Sequence, residues 1–341
     1  MRIGKINLNE KVMIVAEIGN NHEGNFQLAK KLIKLAAESG ADAVKFQTFL
    51  TEQYISYHLD KERFKKIKKF ELSYEEFNKL KDYASTKNLI FLSTPFDIKS
   101  ARFLKKIVPA FKISSGDINF FPMIEYIAKT KKPIILSSGI SNIRHIQNTI
   151  KFIRNFRNVN NVILLHCVSS YPTPTNQANL NKIRELMKIS RYVGYSDHTL
   201  GVEASVAAVA IGARIVEKHF TLDNDYSNFR DHKISSNPSE FKKMVKLIRH
   251  NEELISNSNL KNIQNSKLIQ RSIICNKDLD AGTKIIKNHL AWVRPGTGIR
   301  PGNENMILGK ILETFSIFEQ YLKPQYIIIA KKMINNKRQE Y

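Results

Sequence analysis

Polar and charged side chains recur where the short apolar runs of this chain end, and their types suit anion and metal binding. Lys45 and Lys112 close runs that are otherwise apolar. Such a lysine needs an anion to bind, a carbonyl with which to form a Schiff base, or a buried ion pair. Neighbouring hydroxyl groups can donate hydrogen bonds to phosphate oxygens, which favours an anion-binding cluster. The series is Glu17, Lys45 with Gln47, Thr94, Lys112 with Ser114 and Ser115, Ser137 with Ser138, His166 with Ser169, Ser196-Asp197-His198, and Glu217 with His219.

Two histidines, His198 and His219, follow the last two of these runs. Imidazoles at neighbouring strand ends can bind one divalent ion and leave coordination positions open for water or substrate. Two hydrogen-bonded core histidines are the alternative. The nearby Glu217 and Asp197 favour the metal site, so the pattern predicts bound divalent metal.

The apolar runs are rich in β-branched residues and alternate with amphipathic helical stretches. Eight strand–helix repeats predict a parallel (β/α)8 TIM barrel, in which active sites form at the C-terminal ends of the strands. A doubly wound open sheet is the alternative, but the first run is not followed by a glycine-rich phosphate loop. The barrel loops look short, apart from 51–70. The predicted strands are 12–18, 43–47, 89–93, 110–113, 133–136, 162–167, 192–195 and 215–218, and helices are predicted at 26–39, 74–87, 201–211 and 238–255.

The pattern changes near residue 256, which predicts two domains. Residues 1–256 form the barrel in this interpretation, and the polar segment 257–267 is a linker. Residues 268–330 carry short strand-like runs, at 272–275 and 326–330, between glycine and proline signals. They predict a small β domain, followed by a polar tail at 331–341.

Composition excludes several classes of protein. The net charge of +23 comes from 54 basic and 31 acidic residues, but the lysines are spread along the chain and no aromatic-interleaved basic motif is present. We therefore expect no nucleic-acid partner. No apolar run approaches the roughly 20 residues that span a bilayer, and the N-terminus does not resemble a signal peptide. Two widely separated cysteines indicate a reducing compartment. A cytoplasmic protein with no membrane partner is expected.

Six ordered segments of the barrel resemble the N-acetylneuraminate (sialic acid) synthase family, which includes legionaminic and pseudaminic acid synthases. The likeness runs from about residue 11 to 325. The segments are Ala16-Glu17-Ile18-Gly19-Asn20-Asn21-His22-Glu23-Gly24, Gly40-Ala41-Asp42-Ala43-Val44-Lys45-Phe46-Gln47, Ser93-Thr94-Pro95-Phe96-Asp97, Lys112-Ile113-Ser114-Ser115-Gly116-Asp117, Tyr195-Ser196-Asp197-His198-Thr199-Leu200-Gly201 and Glu217-Lys218-His219-Phe220-Thr221-Leu222.

The second domain resembles the antifreeze-like (SAF) domain at the C-terminus of that family. The resemblance lies in Gln270-Arg271-Ser272, Asp280-Ala281-Gly282-Thr283 and Arg294-Pro295-Gly296-Thr297-Gly298-Ile299. Ice binding is an alternative for this domain, but Arg294 beside a glycine-rich loop suits an anionic sugar better. The resemblance also implies a domain-swapped homodimer, in which Arg294 enters the partner's site.

The resemblance implies a reaction of phosphoenolpyruvate with an N-acetylated hexosamine such as N-acetylmannosamine. Its products are a nine-carbon keto acid and phosphate. Glu17 and Glu217 are the candidates for moving protons, and His198 and His219 match the ligands of a divalent ion, usually Mn²⁺. Gln47, Asp117, Tyr171, Asp231 and Arg294 are assigned to the sugar. Lys45, Thr94, Lys112, Ser115, Ser137 and Ser196 match positions that hold phosphoenolpyruvate.

Two departures from the family pattern affect the sugar side of the site. Ser169 stands where the N-acetylneuraminate enzymes tend to carry Asn, and Phe229-Arg230-Asp231-His232 replaces Gly-Pro-Asp-His. The identity of the sugar is therefore open, with legionaminic or pseudaminic acid synthase as alternatives. Synthases of octulosonate or heptulosonate phosphates act on phosphosugars and lack this C-terminal domain. A non-catalytic carbohydrate-binding protein is the remaining class, and the intact lysine and histidine set argues against it.

Overall fold

The computed structural model describes residues 1–256, 266–313 and 327–328. The chain divides into two compact units, Met1–Ser256 and Asn257–Tyr341. The first unit begins with an antiparallel hairpin of β1 (Arg2–Ile3) and β2 (Ile6–Asn7). This hairpin has no counterpart in the sequence prediction, because two-residue strands are too short to display a period.

Eight parallel strands follow the hairpin and form one sheet. They are β3 (Met13–Gly19), β4 (Ala43–Thr48), β5 (Ile90–Pro95), β6 (Phe111–Ile113), β7 (Ile134–Ser137), β8 (Val162–His166), β9 (Tyr192–Asp197) and β10 (Ile215–His219). Their order in the sheet is β5-β4-β3-β10-β9-β8-β7-β6. Cα atoms of β5 and β6 come within 8 Å of each other, so the sheet is a nearly closed barrel. The TIM barrel prediction is confirmed, and the doubly wound alternative is excluded.

Helices connect and cover the strands. In chain order they are α1 (Phe26–Glu38), α2 (Thr51–Tyr54), α3 (Lys61–Lys68), α4 (Tyr74–Thr86), α5 (Ile98–Leu104), α6 (Phe121–Lys129), α7 (Ile143–Arg154), α8 (Lys182–Met187), α9 (Glu203–Ile211), α10 (Arg230–Ile234) and α11 (Pro238–Ile255). Capping interactions determine where several of these helices begin. Ser73 and Glu76 form a capping box before α4, and Asn237 caps α11 ahead of Pro238.

Strand alternation separates two apolar layers. On β3, Ile14, Ala16 and Ile18 belong to the cluster between the sheet and the helices. Met13 and Val15 point the other way, into a cluster that fills one end of the barrel interior together with Ile3 and Leu8 of the hairpin segment. The hairpin therefore closes the barrel at the N-terminal ends of the strands, and the interior stays polar only at the opposite end.

The prediction that only 51–70 forms a long barrel loop is wrong. The segment 167–181 after β8 and the segment 220–237 after β10, which contains α10, also form long excursions at the C-terminal end. Part of the latter is held by a hydrogen bond between His232 Nε2 and Glu23 Oε1 (2.9 Å), a contact between residues 209 positions apart. Local sequence patterns do not display such a contact.

The second unit contains short antiparallel strands and a small core in its described part. Its elements are α12 (Ser266–Ile269), β11 (Ser272–Cys275), β12 (Leu290–Val293), β13 (Ile311–Leu312) and β14 (Ile327–Ile328). β11 pairs with β12 and β13 with β14, and Ile273, Ile285 and Leu290 are among the core residues. The predicted linker 257–267 lies outside the described residues except for the start of α12, and the predicted tail 331–341 lies wholly outside them. The antifreeze-like assignment stays a prediction.

Among the helices in the described parts of both units, none combines the length and apolar character needed to cross a bilayer.

Candidate active site

A cavity of about 760 Å³ opens at the C-terminal ends of the barrel strands, within the size range of small-molecule sites. It gathers side chains from strands far apart in sequence. Arg294 follows β12 in the second unit, where it is exposed, and its assignment to the sugar stays a prediction. The sequence-predicted site residues that line the cavity are Glu17, Lys45, Gln47, Thr94, Lys112, Ser115, Asp117, Ser137, Tyr171, Ser196, His198, Glu217, His219 and Asp231.

Two lysines and two glutamates form the buried floor of the cavity. Lys45 Nζ lies 2.7 Å from Glu17 Oε2 and 3.6 Å from Glu217 Oε2. Lys112 Nζ lies 3.6 Å from Glu217 Oε1. The buried ion pair that the sequence left open for each lysine is therefore present, and hydroxyl groups stand beside it. Lys45 donates to Thr94 Oγ1 (3.2 Å), and Ser196 Oγ donates to Glu217 (2.9 Å).

The two glutamates differ in their affinity for a proton. Burial raises the pKa of Glu17 to about 7, because desolvation and the nearby Glu217 outweigh the attraction of Lys45. Burial also acts to raise the pKa of Glu217, but Lys112 and Lys45 outweigh it and hold that pKa below its usual range. Two carboxyl groups with pKa values pushed apart are typical of an acid and base pair. Glu17 is the one able to carry a proton near neutral pH.

The rings of His198 and His219 have nitrogen atoms that can act as metal ligands. The ring centroids of His198 and His219 are 5.6 Å apart. His198 Nδ1 hydrogen-bonds the Val168 carbonyl (2.7 Å), which orients the ring and leaves Nε2 to bind another group. His219 Nδ1 is buried with no hydrogen-bond partner among the described residues. Burial lowers the pKa of His219 to about 4 and also lowers that of His198, so both rings are neutral at pH 7, the form that binds metal.

Those two imidazoles fit a divalent ion, although they do not form a complete ligand set. No group of three or more histidine, cysteine, aspartate or glutamate side chains within the described ranges is arranged to hold an ion. Oxygen atoms of substrate or water would therefore have to complete the coordination, as in sites with open positions. The metal itself stays a prediction.

A tight polar wall surrounds Ser115. Its Oγ accepts a hydrogen bond from Gly139 N (2.9 Å) and lies 3.1 Å from Cys167 Sγ. A Cβ atom at Gly139 would lie 2.6 Å from Ser169 Oγ and 2.7 Å from Cys167 Sγ, so a side chain there would force these neighbours to move. Ser137 Oγ lines the same cavity and is buried without a hydrogen-bond partner in the described part of the chain. Such a group calls for a ligand or water.

Four of the five residues assigned to the sugar, Gln47, Asp117, Tyr171 and Asp231, line the cavity. Gln47 Nε2 donates to Glu17 Oε1 (3.3 Å), which ties it to the floor. The Tyr171 ring lies 4.2 Å from the His198 ring by centroids. Asp117 accepts a hydrogen bond from Ser114 (2.5 Å), and burial raises its pKa.

The sequence analysis placed residues 229–230 on the sugar side of the site but missed the rest of the outer rim of the cavity. Arg63 and Lys66 lie one turn apart on α3, within the segment already noted as a long loop. Phe70 packs edge-on against Phe229 (4.8 Å between centroids), and Arg230 lies over the Tyr171 ring at 5.0 Å. The departure at 229–230 from the family pattern was the available signal for this half of the rim.

Three polar groups of the predicted series, Ser138, His166 and Asp197, do not line the cavity. Ser138 Oγ instead donates a hydrogen bond to the Leu165 carbonyl (3.0 Å). Asp197 and His166 lie on the opposite side of their strands from the cavity. His166 Nε2 hydrogen-bonds the Ala178 carbonyl (2.8 Å), and Asp197 pairs with Lys218. The expectation that Asp197 shares the cavity with the two histidine rings is therefore wrong. Successive strand residues point to opposite faces, so Ser196 and His198 occupy the cavity face that Asp197 cannot share.

Comparisons with known proteins agree on one group of enzymes. The sequence model of the NeuB family matches residues 32–259. The chain is 39% identical to N,N'-diacetyllegionaminic acid synthase of Campylobacter jejuni, covering 89% of this chain and 96% of the relative. It is 35% identical to pseudaminic acid synthase of the same species, covering 91% and 95%. A crystal structure of sialic acid synthetase from Leptospira borgpetersenii, in complex with citrate, is similar with a TM-score of 0.73 and 35% identity, over 78% of this chain and 93% of that one.

Proposed function

Since the chain belongs to the NeuB family, we propose that it condenses phosphoenolpyruvate with an N-acetylated hexosamine to give a nonulosonic acid and phosphate. Relatives named as legionaminic, pseudaminic and sialic acid synthases support an enzyme of this transferase type. The observation that carries the proposal is the floor of the cavity, where Lys45 and Lys112 stand beside hydroxyl groups and two glutamates.

Phosphoenolpyruvate would bind through charge and hydrogen bonds on the floor. Lys45 and Lys112 offer cations to its phosphate and carboxylate, and Thr94, Ser115, Ser137 and Ser196 offer hydroxyl groups. The glutamates now pair with both lysines, so binding exchanges part of those ion pairs for contacts with the ligand. The unpartnered Ser137 Oγ supports a ligand at this place.

The reaction forms a carbon–carbon bond and exchanges one carbon–oxygen bond at C2 for another. C3 of the enol attacks the aldehyde carbon of the sugar, and water adds at C2. Phosphate leaves with the oxygen that joined it to C2, and the new C2 hydroxyl group loses its proton to become the keto group. Glu17, with its raised pKa, is suited to deliver a proton to the forming hydroxyl group. Glu217 is ionised before the reaction and is therefore able to accept a proton. His198 and His219 would hold a divalent ion, such as Mn²⁺, which when bound supplies polarisation of the aldehyde.

N-acetylmannosamine is the first candidate sugar, and a diacetamido sugar is the second. The 39% identity to a diacetyllegionaminic acid synthase favours the second. Incubation with phosphoenolpyruvate, Mn²⁺ and a panel of sugars, followed by phosphate assay and mass analysis of the product, tests both. Turnover of phosphosugars alone would instead indicate an octulosonate or heptulosonate phosphate synthase. No phosphate release with any sugar would leave the chain as a carbohydrate-binding protein.

A domain-swapped homodimer is proposed from the family resemblance, with Arg294 acting in the partner's site. Subunit mixing tests it. One chain carries Arg294→Ala and the other Lys112→Ala, each inactive alone. If Arg294 acts across the dimer, one site of the mixed dimer has both groups intact, and half the wild-type activity returns. If it acts within its own chain, every site has a defect, and no activity returns.

A further inference from the structure

A buried ion pair lies directly behind the histidine pair, on the outer face of the barrel wall. Lys218 Nζ lies 2.9 Å from Asp197 Oδ2, and both side chains are at most 1% exposed. The two residues are opposite each other in the register of β9 and β10. On the inner face of the same strands, Ser196, Glu217 and His219 line the cavity.

Four further contacts complete this ion pair. Asp197 Oδ1 accepts hydrogen bonds from the Thr199 backbone N–H (2.8 Å) and from Thr199 Oγ1 (2.7 Å). Asp197 Oδ2 also accepts from Ser205 Oγ (2.7 Å) on α9, and Lys218 donates to the Thr199 carbonyl (2.8 Å). The pair thereby fixes the backbone at Thr199, the residue that follows His198.

Stability alone is a weak reason for such a pair. It faces α9, whose sequence Glu203-Ala204-Ser205-Val206-Ala207-Ala208-Val209-Ala210-Ile211 is mostly apolar. Well-packed apolar residues in place of a buried ion pair are often neutral or stabilising, because desolvation cancels the attraction between the charges. The pair instead provides orientation, because its contacts hold the main chain of one strand end in place and connect it to the neighbouring strand.

His198 lies between Asp197 and Thr199, and both of these residues belong to the hydrogen-bond network around the ion pair. His219 directly follows Lys218. A second hydrogen bond, from Thr173 N to the His198 carbonyl (2.8 Å), fixes the same turn. We propose that Asp197 and Lys218 are positioning residues that set the spacing of the His198 and His219 rings, and thereby the affinity of the site for a divalent ion. This inference rests on the metal site of the proposed function.

Binding of Mn²⁺ to the full-length chain without substrates tests the inference directly. The signal of free Mn²⁺ in electron paramagnetic resonance gives the Kd. The variant Asp197→Asn/Lys218→Met removes both charges together and so leaves no unpaired ion in the wall. We expect its Kd to rise about 10–100-fold, the range typical of groups that orient metal ligands, with an unchanged melting temperature.

Matched variants separate position from general damage. Arg249→Met breaks a different ion pair, with the buried Asp42, on the strand-start side of the barrel, and should leave the Kd unchanged. Ser205→Ala removes only the Ser205 hydroxyl that hydrogen-bonds Asp197, and should raise the Kd several-fold. If the double variant does not fold, Ser205→Ala decides the question.

The outcomes distinguish this inference from the proposed function. If the wild type binds Mn²⁺, His219→Ala does not, and both the double variant and Ser205→Ala bind as the wild type does, the positioning role is overturned and the metal site stands. If the wild type itself binds no Mn²⁺, the metal site fails, and the positioning role fails with it.

Discussion

The two ends of the barrel are built on opposite principles. At the N-terminal end the interior is apolar and closed by the hairpin segment, with Ile3 and Leu8 fully buried among strand residues such as Met13 and Ile215. At the C-terminal end the same strands place charged and polar side chains around a cavity. One end stabilises the fold, and the other accepts buried charge that packing alone does not justify.

The two ends of the barrel also differ in whether their polar groups have hydrogen-bond partners. At the closed end the Met1 amino group donates to Tyr192 Oη, which donates in turn to Asn9. At the open end Ser137 Oγ and His219 Nδ1 are buried without partners among the described residues. Substitutions should therefore separate cleanly, with activity lost at the open end and stability lost at the closed end.

Metal removal should have the largest effect on activity. We expect a chelator to abolish phosphate release and Mn²⁺ to restore it. His219→Ala should abolish activity and Mn²⁺ binding but leave the melting temperature unchanged, because its ring has no hydrogen-bond partner to lose at Nδ1. His250→Ala, at an exposed position on α11, is the matched control. Full activity of His219→Ala in the absence of metal would refute the claim.

Replacing a floor lysine should have the next largest effect. We expect Lys112→Met to lower kcat/KM by about 10²–10³-fold, as for loss of one preorganised electrostatic group. Lys11→Met breaks an ion pair with Asp42 near the closed end and should leave kcat/KM unchanged.

Borohydride added with phosphoenolpyruvate tests the alternative chemistry of the same lysines. Because Lys45 and Lys112 are expected to bind charge, mass analysis should find no covalent adduct. A trapped adduct on either lysine would make the chain a Schiff-base enzyme.

The pH profile should report Glu17. Its raised pKa means that the folded chain holds this proton up to about pH 7, so kcat/KM should fall about tenfold per pH unit above that value. The same shift makes its contribution to stability complete below the unfolded pKa of 4.5 and lost as pH rises through 7. Glu17→Gln should be slower and should lack this limb of the profile. An identical limb in that variant would assign the titration to another group.

At the closed end the expected effect is on stability alone. Leu8→Ala should lower the free energy of unfolding by about 2–5 kcal/mol, because it leaves a cavity beneath the barrel. Denaturant titration measures this, and kcat/KM should stay unchanged. Leu59→Ala makes the same substitution at a position that is 90% exposed and should change stability by less than about 0.5 kcal/mol. A large loss of activity in Leu8→Ala would mean that the two ends are coupled.

Local sequence patterns predicted the repeating strands of the barrel. They did not predict features that depend on contacts between residues far apart in the sequence. All eight barrel strands were predicted, since runs rich in β-branched residues are local signals. The expectation that polar residues at the C-terminal ends of barrel strands share one site correctly grouped the residues of the floor. Asp197 was misplaced because a motif does not state which side of a strand a residue faces. The rim residues Arg63 and Lys66 were missed because only folding brings α3 to the cavity.

The alternation of Glu217, Lys218 and His219 has a consequence for changes in chain length. Inserting or deleting one residue inside β10 would exchange its two faces, turning Lys218 inward and Glu217 toward the helices. Each strand should thus accept volume-conserving exchanges at its apolar positions more readily than a change of length. Insertions should be accepted only where the face is not specified, as at the exposed positions of the 51–70 and 220–237 segments. Variation in length there would change the rim of the cavity without disturbing its floor.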